Sequence, residues 1–461
     1  MSRLLTFSLF AVSMFAGDWA RFRGPDGAGI QEGAALPQTL DPSGALWTAQ
    51  APQGASSPVS NGEKVFITGF DGSDRIVVCY SASNGKTLWT RKIARARTEF
   101  FHSMHGPATP TPVIAAERLI ALFPETGLAA FDLDGKELWR TPVEPSHSIQ
   151  GYAASPVAAG ELVIVLVDSP EAAHVTAYDT STGKQKWRTE RPRGVLGGYA
   201  TPVVWRDNDG STQVIVAGAG ELTGYSAATG ERLWWGPGMT SYAMASPYVA
   251  GDSVYTSEPL GVSWPPFSDP LGRFDKDKDG KVSLVEAKDD ASWLGSLLGI
   301  DRNSGDNDGF VTAEEYAKAT ASEDGGMYRV RLGGRKDIST SRVLWRNTRG
   351  VPSHSAPLLY GKTLYTVRRG IVSALDNETG SVLREARLPN ALGDYYASPV
   401  AGDGKIYFAS FEGVVSVIEA GVPWRVLSTA DFGEPILATP AIADGRVFVR
   451  TQKRLLCFGQ R

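Results

Sequence analysis

Residues 154–187 read ASPVAAGELVIVLVDSPEAAHVTAYDTSTGKQKW, and this stretch holds one complete copy of the unit that decides the fold. Its two apolar runs, rich in β-branched residues, predict two adjacent strands, and the turn Thr182-Gly183-Lys184 precedes a further strand with Trp187. Glycine in such a turn supplies the positive φ that a two-residue hairpin connection requires. The unit therefore predicts a small antiparallel sheet that opens just after Pro156.

The small-residue, proline, apolar signature that opens this unit recurs along the chain. Successive signature prolines are 54, 44, 46, 45, 110, 42 and 41 residues apart. The long interval contains one unit of roughly 44 residues and an insertion of roughly 66, so eight units of four short strands fit the spacing. The sequence thus predicts an all-β, eight-bladed β-propeller. The eight prolines are Pro58, Pro112, Pro156, Pro202, Pro247, Pro357, Pro399 and Pro440.

A turn glycine followed by tryptophan recurs in the units. We expect each large ring to fill the wedge between neighbouring blades. Blade six has Arg384 in this place, so the packing is not expected to be uniform. The tryptophans are Trp89, Trp139, Trp187, Trp234 and Trp345.

The two ends of the chain complement each other. The eighth unit stops at Arg461 without its final strand, whereas Leu46-Trp47 has the sequence of that strand with no unit before it. We therefore predict that the N-terminal strand closes the ring beside Leu455-Leu456, which removes two exposed sheet edges. The near-constant spacing and the split last unit favour this ring over two stacked sandwiches.

Charge and the N-terminal segment limit the cellular setting. Lys and Arg number 46 against 50 Asp and Glu, the net charge is -4, and no basic block stands out, so we expect no nucleic-acid partner. Residues 1–17 combine Arg3 with an apolar run and a final Ala16-Gly17, which is typical of a secretory signal peptide. No later stretch is long and apolar enough to cross a bilayer, so we expect a periplasmic or secreted protein without a transmembrane segment once the signal is removed.

The units resemble the pyrroloquinoline-quinone (PQQ) repeat in Ala154-Ser155-Pro156-Val157, Ala177-Tyr178-Asp179, Thr182-Gly183-Lys184 and Trp187. The resemblance covers nearly the whole chain outside the insertion. It implies two branches with one fold: quinoprotein alcohol dehydrogenases, and the BamB-like propellers that act as non-enzymatic scaffolds in outer-membrane protein assembly. The repeat does not separate the branches, because function lies in sites grafted on the fold.

The two cysteines bear on this choice. Cys79 and Cys457 occupy the same place in blades one and eight, where the other blades have small residues. Two buried thiols are favoured, although closure makes the blades neighbours and leaves a disulfide open as the alternative. The resemblance implies, for the dehydrogenases, two adjacent cysteines whose disulfide lies over the cofactor. This chain has no such pair, which favours the scaffold branch.

The insertion, residues 257–326, interrupts the fifth unit with a charged segment. Its run DKDKDGKVSLVE, residues 275–286, fits the EF-hand loop, in which carboxylates, a carbonyl and a final bidentate Glu bind calcium and a glycine makes the sharp turn. We therefore predict a small α-helical EF-hand pair here, with Ca²⁺ in this first loop. The predicted ligands are Asp275, Asp277, Asp279, the Lys281 carbonyl, Ser283 and Glu286.

A second loop ends at Glu315. Counting around Gly309 leaves Ser304 at the first position, whereas a bulge of three extra residues would bring in Asp301 and Asn303 instead. Either way we expect the second site to be the weaker one. Exported loops of this kind work at about 10⁻⁴ to 10⁻³ M calcium, so we expect the ion to order the segment against the propeller rim. The ligands counted from Gly309 are Asp306, Asp308, the Phe310 carbonyl, Thr312 and Glu315.

The central channel is the other candidate site. The residue three places before each signature proline begins an innermost strand, and these strands surround the channel of a propeller. We expect these residues to form an aromatic, weakly polar mouth that could stack a planar quinone or hold a peptide of a partner. They are Ala55, Thr109, Ala153, Tyr199, Met244, His354, Tyr396 and Leu437.

No catalytic residue is assigned from the sequence. The resemblance implies that a quinone site needs a calcium held by Glu, Asn and Asp, a general-base Asp and an Arg, and no motif maps this set onto the chain; Arg368 and Arg369 are the nearest basic candidates. We interpret the five histidines as hydrogen-bonded loop residues. They are His102, His105, His147, His174 and His354.

The expected organisation is a signal peptide at 1–17, a propeller formed by 18–256 and 327–461, and the inserted pair at 257–326. The sequence thus predicts an exported, non-enzymatic scaffold for protein–protein interaction, similar to BamB-like propellers, with bound calcium and a partner in the cell-envelope assembly machinery. The alternative is a PQQ-dependent dehydrogenase of alcohols or sugars, for which pyrroloquinoline quinone would be the cofactor; it is not favoured.

Overall fold

The computed structural model describes residues 18–99, 101, 106–144, 151–169, 172–191, 197–218, 220–236, 243–258, 265–303, 305–320 and 325–460. Within these ranges the chain forms an eight-bladed β-propeller, which confirms the predicted fold class. The interpreted signal peptide, residues 1–17, lies outside the described ranges. No helix of the described residues is long and apolar enough to cross a membrane.

Each blade is an antiparallel sheet whose strands follow one another from the channel outwards. The first strand of the chain, β1 (Trp47–Gln50), belongs to blade eight. Blades one to four contain β2 (Val59–Ser60), β3 (Lys64–Asp71), β4 (Asp74–Ser81), β5 (Thr87–Ala94); β6 (Val113–Ala115), β7 (Arg118–Phe123), β8 (Gly127–Asp132), β9 (Glu137–Thr141); β10 (Val157–Ala159), β11 (Leu162–Asp168), β12 (Ala173–Asp179), β13 (Gln185–Glu190); and β14 (Val203–Arg206), β15 (Thr212–Gly218), β16 (Glu221–Ser226), β17 (Arg232–Gly236).

The second half of the ring continues the same pattern. Blade five contains β18 (Tyr248–Ala250), β19 (Ser253–Glu258), β22 (Gly326–Arg331) and β24 (Val343–Asn347). Blades six to eight contain β25 (Leu358–Tyr360), β26 (Thr363–Arg368), β27 (Ile371–Asp376), β28 (Val382–Arg387); β29 (Val400–Gly402), β30 (Lys405–Ala409), β31 (Val414–Glu419), β32 (Arg425–Asp431); and β33 (Ala441–Ala443), β34 (Arg446–Arg450), β35 (Arg454–Phe458).

The ring closes where the sequence predicts. Strand β1 pairs antiparallel with β35 and completes blade eight, with Trp47 opposite Cys457 and Thr48 opposite Leu456. Both cysteines are free and buried, and burial raises the pKa of each thiol to about 12. The closing strand shares one hydrophobic core with blades seven, eight and one, so the two ends of the chain are joined by burial as well as by hydrogen bonds.

Tryptophans connect neighbouring blades, as expected. In four of the five predicted cases, and also at Trp47, the indole lies over the turn glycine of the next blade and donates to a carbonyl of that turn. A methyl group on any of these glycines would lie 2.4 to 2.7 Å from the ring. The pairs are Trp47 with Gly85, Trp89 with Gly135, Trp139 with Gly183, Trp187 with Gly230 and Trp345 with Gly380.

Among the described residues, blades four, six and seven lack this contact, and blades four and six pack in two other ways. The expectation for Trp234 is wrong: its indole is fully buried in its own blade, where Nε1 donates to Gln213 Oε1 at 2.8 Å. The next blade offers no matching tight turn there, because the longer connection from β22 to β24 forms β23 (Lys336–Asp337) and pairs with the outer strand of blade four. In blade six, Arg384 replaces the indole and stacks over Trp424 of blade seven, 4.4 Å from the ring centroid.

Residues 18–36 form an N-terminal strap across one end of the channel. The backbone of the strap forms hydrogen bonds with the backbone of Ser60 in blade one, Ile114 in blade two and Ala401 in blade seven. Arg23 of the strap is buried and donates to the Pro357 carbonyl of blade six at 2.8 Å. We call this end the strap face and the opposite end, where the residues preceding the innermost strands lie, the mouth face.

A helical lobe interrupts blade five between β19 and β22. It consists of α1 (Ser268–Phe274), β20 (Val282–Ser283), α2 (Ala291–Asn303), β21 (Phe310–Val311) and α3 (Ala313–Thr320). The two short strands pair antiparallel, with Val282 opposite Val311, and both valines are fully buried. The lobe has its own apolar core, which also includes Leu297 and Ile300.

Candidate functional site

The channel mouth is a cavity of about 410 Å³ at the centre of the propeller. Its lining includes all eight residues that stand three places before the signature prolines, which confirms the prediction of an aromatic, weakly polar mouth. Phe22 of the strap also lines the cavity. The chain brings these residues together because every innermost strand starts at the mouth face, so equivalent positions of all blades meet around one axis.

Two residues deeper, a ring of hydroxyls links the blades. In seven of the eight blades the residue before the signature proline is Ser or Thr, and its oxygen accepts a hydrogen bond from the backbone N–H of the preceding blade. The distances are 2.9 to 3.0 Å. Ala356 of blade six interrupts the ring. The hydroxyls are Ser57, Thr111, Ser155, Thr201, Ser246, Ser398 and Thr439.

One wall of the mouth is aromatic. The His354 and Tyr396 rings are 4.5 Å apart between centroids, and Tyr396 meets Phe411 edge-on at 5.6 Å. Burial lowers the pKa of His354, so its ring is neutral at pH 7. The imidazole Nδ1 of His354 is buried and has no hydrogen-bond partner in the described part of the chain. This wall therefore offers a stacking surface to a ligand.

Among the described residues, no histidine other than His354 lines the mouth. His102, His105 and His147 lie outside the described residues. His174 is buried in β12, where Nδ1 is 2.8 Å from Thr176 Oγ1. Burial lowers the pKa of His174 to about 4, so this ring is neutral and structural.

The first loop of the helical lobe, residues 275–286, gathers its carboxylates. Ligand atoms of Asp275, Asp277 and Glu286 lie within 4.8 Å of one another. Backbone N–H groups hold them in place: Gly280 N donates to Asp275 Oδ2 at 3.1 Å, and Ser283 N to Glu286 Oε2 at 3.2 Å. The loop closes tightly because Lys278 and Gly280 have φ of 62° and 84°.

The remaining predicted positions of this loop have local roles. Asp279 Oδ1 accepts from Lys281 N at 2.8 Å, and Ser283 Oγ accepts from Val285 N at 3.1 Å. Such bonds pre-form the turn around the three clustered carboxylates. The loop thus presents several oxygen atoms to a common centre, which is the donor set that hard cations prefer.

The second loop is built with a bulge. Ligand atoms of Asp301, Asp306 and Asp308 lie within 4.8 Å of one another. Gly309 N donates to Asp301 Oδ2 at 3.2 Å, which is the counterpart of the bond from Gly280 to Asp275. Asp301 therefore stands where Asp275 stands in the first loop, three residues earlier than the count from Gly309 gives. Ser304, the alternative, lies outside the described residues.

Asp301 is the site residue that the straightforward count misses. It is 1% exposed, its Oδ1 has no partner among the described residues, and burial raises the pKa of its carboxyl. The helix α2 continues through Asn303, so the loop begins inside the last helical turn. Glu315 accepts from the Thr312 N–H at 2.7 Å, as Glu286 does from Ser283. Phe310 lies in β21, beside Asp308, which accepts from its N–H at 2.8 Å.

Arg368 and Arg369 do not line the channel mouth. Arg368 ends β26, Arg369 begins the turn to β27, and both line a separate groove on blade six. Among the described residues that line the mouth, none is Asp, Glu, Lys or Arg. The described mouth therefore presents hydroxyl, aromatic and aliphatic groups, whereas the described acidic clusters lie in the helical lobe.

Comparison with known families decides the affiliation of the chain. A family model described as outer membrane protein assembly factor BamB matches residues 73–307 and 209–426. The chain belongs to this BamB family. The matches include most of the blades, which confirms the resemblance to PQQ-repeat propellers. No curated protein matches the sequence.

Solved structures of this family and its relatives share the fold. BamB from Moraxella catarrhalis superposes with a TM-score of 0.53 at 14% identity, covering 90% of this chain and 98% of that one. A europium-containing methanol dehydrogenase gives a TM-score of 0.60 at 9% identity, with 96% and 98% covered. The computationally designed Ika8 protein gives 0.55 at 10% identity, with 90% and 99% covered. At these identities the likeness shows the propeller fold alone.

Proposed function

We propose that this chain is an exported, non-enzymatic scaffold that holds a protein partner at its mouth face and is stabilised by calcium bound in the helical lobe. Its membership of the BamB family supports the scaffold role. The location follows the signal-like residues 1–17, and the partner belongs to the cell-envelope assembly machinery.

The neutral channel mouth is the observation that carries this proposal. The hydroxyl ring fixes the blades to one another, and the mouth residues stand on that rigid frame. Phenol, imidazole, thioether and aliphatic groups of the mouth suit the side chains of a peptide, which are held by stacking, apolar contact and single hydrogen bonds. A partner segment with an aromatic residue would lie against the wall of His354 and Tyr396.

Calcium fits the helical lobe. Each loop turns three carboxylates to one centre, and the orphaned, buried Oδ1 of Asp301 needs a charged partner that the described side chains do not give it. Oxygen donors from carboxylates, carbonyls and hydroxyls are the ligands that Ca²⁺ prefers. The ion would lower the repulsion among these carboxylates and would order the two loops of this EF-hand pair against each other through β20 and β21.

Partner capture from an envelope extract, combined with a mouth variant, tests the scaffold role. Purified intact protein is immobilised, and proteins retained from the extract are compared for wild type, Tyr396→Ala and Tyr360→Ala. Tyr360 is a matched control because it lies on the strap side, where its hydroxyl accepts from Gly404 N. We expect one stoichiometric partner with wild type and the control and little with Tyr396→Ala. Equal capture by all three would contradict binding at the mouth.

A PQQ-dependent dehydrogenase is the second candidate, and the aromatic wall favours it. A planar quinone could stack on Tyr396 and His354, which is one requirement of such a site. The carboxylates and the arginine that a bound quinone also needs are not found among the described residues of the mouth. Incubation with pyrroloquinoline quinone and calcium, followed by dye reduction with alcohols and sugars, separates the two candidates. Quinone uptake with turnover would replace the scaffold proposal.

A further inference from the structure

A basic groove lies on the mouth face of blade six, outside the channel. It has a volume of about 300 Å³ and is formed by the turn between β26 and β27 together with the end of β28. Arg349 flanks it. The lining residues are Gly350, Arg368, Arg369, Ile371, Ser373, Glu385 and Arg387.

The backbone of the turn between β26 and β27 is anchored within the blade. Arg369 and Gly370 have φ of 48° and 75° and form a two-residue hairpin turn, a position where Asn and Gly are usual and an arginine side chain is strained. Gly370 O accepts from Leu388 N at 2.8 Å, and Arg387 Nη1 donates to Arg369 O at 2.6 Å. These two bonds anchor the turn to the outer strand. A residue that keeps a strained backbone conformation is more often part of a functional site than an unstrained, solvated residue is.

The groove carries more positive charge than its neighbours offset. Arg349 is 3.4 Å from Glu385, and Arg369 is 3.9 Å from Asp394. Both pairs are solvent-exposed and therefore weak. In the described ranges, neither Arg368 nor Arg387 has a carboxylate within 4.0 Å. This excess of guanidinium groups stands out in a chain whose net charge is -4.

Aliphatic side chains border the same groove. Ile371 is 36% exposed, and Leu392 is 67% exposed. Leu392 is adjacent because Ala391 packs on Gly370, where an added methyl would lie 1.7 Å from the Ala391 carbonyl oxygen. Guanidinium groups next to exposed aliphatic carbon match a ligand that carries both carboxylates and apolar side chains.

We propose that this groove binds an acidic segment of the protein partner, one in which carboxylates are interspersed with aliphatic residues. The inference rests on the proposed scaffold function and names the chemistry of its partner. Carboxylates pair with the planar guanidinium fork through two parallel hydrogen bonds, which fixes orientation as well as charge. A nucleic acid fits less well, because the chain as a whole is acidic and the groove is bordered by Ile371 and Leu392.

Fluorescence anisotropy with the intact protein tests this inference. The probe is a labelled peptide of alternating Glu and Leu, compared with its Gln-Leu counterpart and with a single-stranded oligonucleotide of equal charge. Arg368→Glu/Arg387→Glu removes the two guanidiniums that have no carboxylate within 4.0 Å among the described residues. Lys184→Glu/Lys362→Glu changes the net charge by the same amount at exposed sites elsewhere. Thermal unfolding checks that each variant is folded. If Arg368→Glu/Arg387→Glu does not fold, Arg368→Gln/Arg387→Gln is used in its place.

We expect wild type and the lysine control to bind the Glu-Leu peptide alike and the arginine variant to bind it about tenfold more weakly, with the difference shrinking at high salt. Equal affinity of both variants, equal binding of the Gln-Leu peptide, or tighter binding of the oligonucleotide would overturn the proposal. If wild type and the arginine variant captured the same envelope partner, the proposal that the groove binds this partner would be wrong, and the scaffold function would stand. If the groove bound the peptide but no partner were captured, the scaffold function would be contradicted and the binding property of the groove would stand.

Discussion

The indole of Trp139 in blade two lies over Gly183 of blade three, so closely that a methyl group on Gly183 would come within 2.5 Å of the ring. The same indole donates from Nε1 to the Thr180 carbonyl at 3.0 Å. Gly183 therefore serves two needs, since its φ of 69° also makes the hairpin turn. This relationship recurs at five of the eight blade junctions and helps to set the position of one blade against the next.

Alanine substitutions separate the two roles of the turn glycine. Gly160 has a similar φ of 63° but no heavy atom within 4 Å of an added methyl, so Gly160→Ala should cost only about 1 kcal/mol of backbone strain. Gly183→Ala should lower the free energy of unfolding by about 3 kcal/mol, because the indole must also move. Urea denaturation measures both. If both variants lost the same free energy of unfolding, the indole of Trp139 would have moved aside without cost, which would contradict the prediction.

Arg450 is expected to secure the closure of the ring. Its buried guanidinium donates to the carbonyls of Ser56 and Thr68, both at 2.8 Å, and to that of Pro52 at 2.9 Å. Arg450→Met removes these three hydrogen bonds, although the Thr68 carbonyl still accepts from Ser56 Oγ at 3.1 Å, and should destabilise the protein by about 3 kcal/mol. Arg446→Met is the control and should cost less than about 1 kcal/mol, because Arg446 lies in the same strand but is half-buried and pairs with exposed Asp444 at 3.4 Å. Thermal unfolding of both variants checks this.

Calcium titration distinguishes the two readings of the second loop. If Asp301 is the first ligand, Asp301→Asn should weaken calcium binding at the second site by at least about tenfold, whereas Ser304→Ala should leave it unchanged. Glu286→Gln should weaken calcium binding at the first site instead. Isothermal calorimetry of the intact protein, after removal of calcium with a chelator, resolves the sites.

Asp289→Asn is the matched control for these carboxylates, because Asp289 is exposed and lies between the two loops. Loss of binding with Ser304→Ala and not with Asp301→Asn would restore the simple count from Gly309. No heat of calcium binding in the unsubstituted protein would contradict the calcium proposal itself.

The stability of the protein should depend on His174 in mildly acidic solution. Burial lowers the pKa of His174 to about 4, below the ordinary value of about 6.5, although Glu144 lies 3.2 Å from Nε2 and acts in the opposite direction. Between these values the unfolded chain binds more protons than the folded one, so the free energy of unfolding falls as the pH drops through this window.

The loss from this residue should amount to roughly 1 to 2 kcal/mol between pH 7 and pH 5. His174→Gln should remove that part of the pH dependence while its stability at pH 7 stays within about 2 kcal/mol of wild type. Denaturant melts at both pH values measure the difference. Parallel pH profiles for the two proteins would show that His174 is not the group responsible.

The repeat made much of the fold predictable. Each unit carries its own signature proline and five carry the turn glycine, so strand order, blade number and the pairing of Trp47 with blade eight follow from spacing along the chain. The channel mouth was predictable for the same reason, because equivalent positions such as Tyr199 and Tyr396 must face one axis.

The departures from the repeat were not predictable in this way. Trp234 turns into its own blade because the connection after β22 is long and supplies no tight turn to receive it. Asp301 enters the second loop because α2 continues through Asn303, and a count of residues does not show where a helix ends.

The sequence by itself determined the eight-fold ring, its closure and the residues around its axis, since these depend on a local pattern repeated at nearly constant intervals. Only the tertiary structure brought Arg368 and Arg387 to one groove bordered by Leu392, and showed that neither guanidinium has a carboxylate within 4.0 Å in the described ranges. Such sites arise where loops of different lengths meet, and their geometry depends on long-range packing that no periodicity encodes.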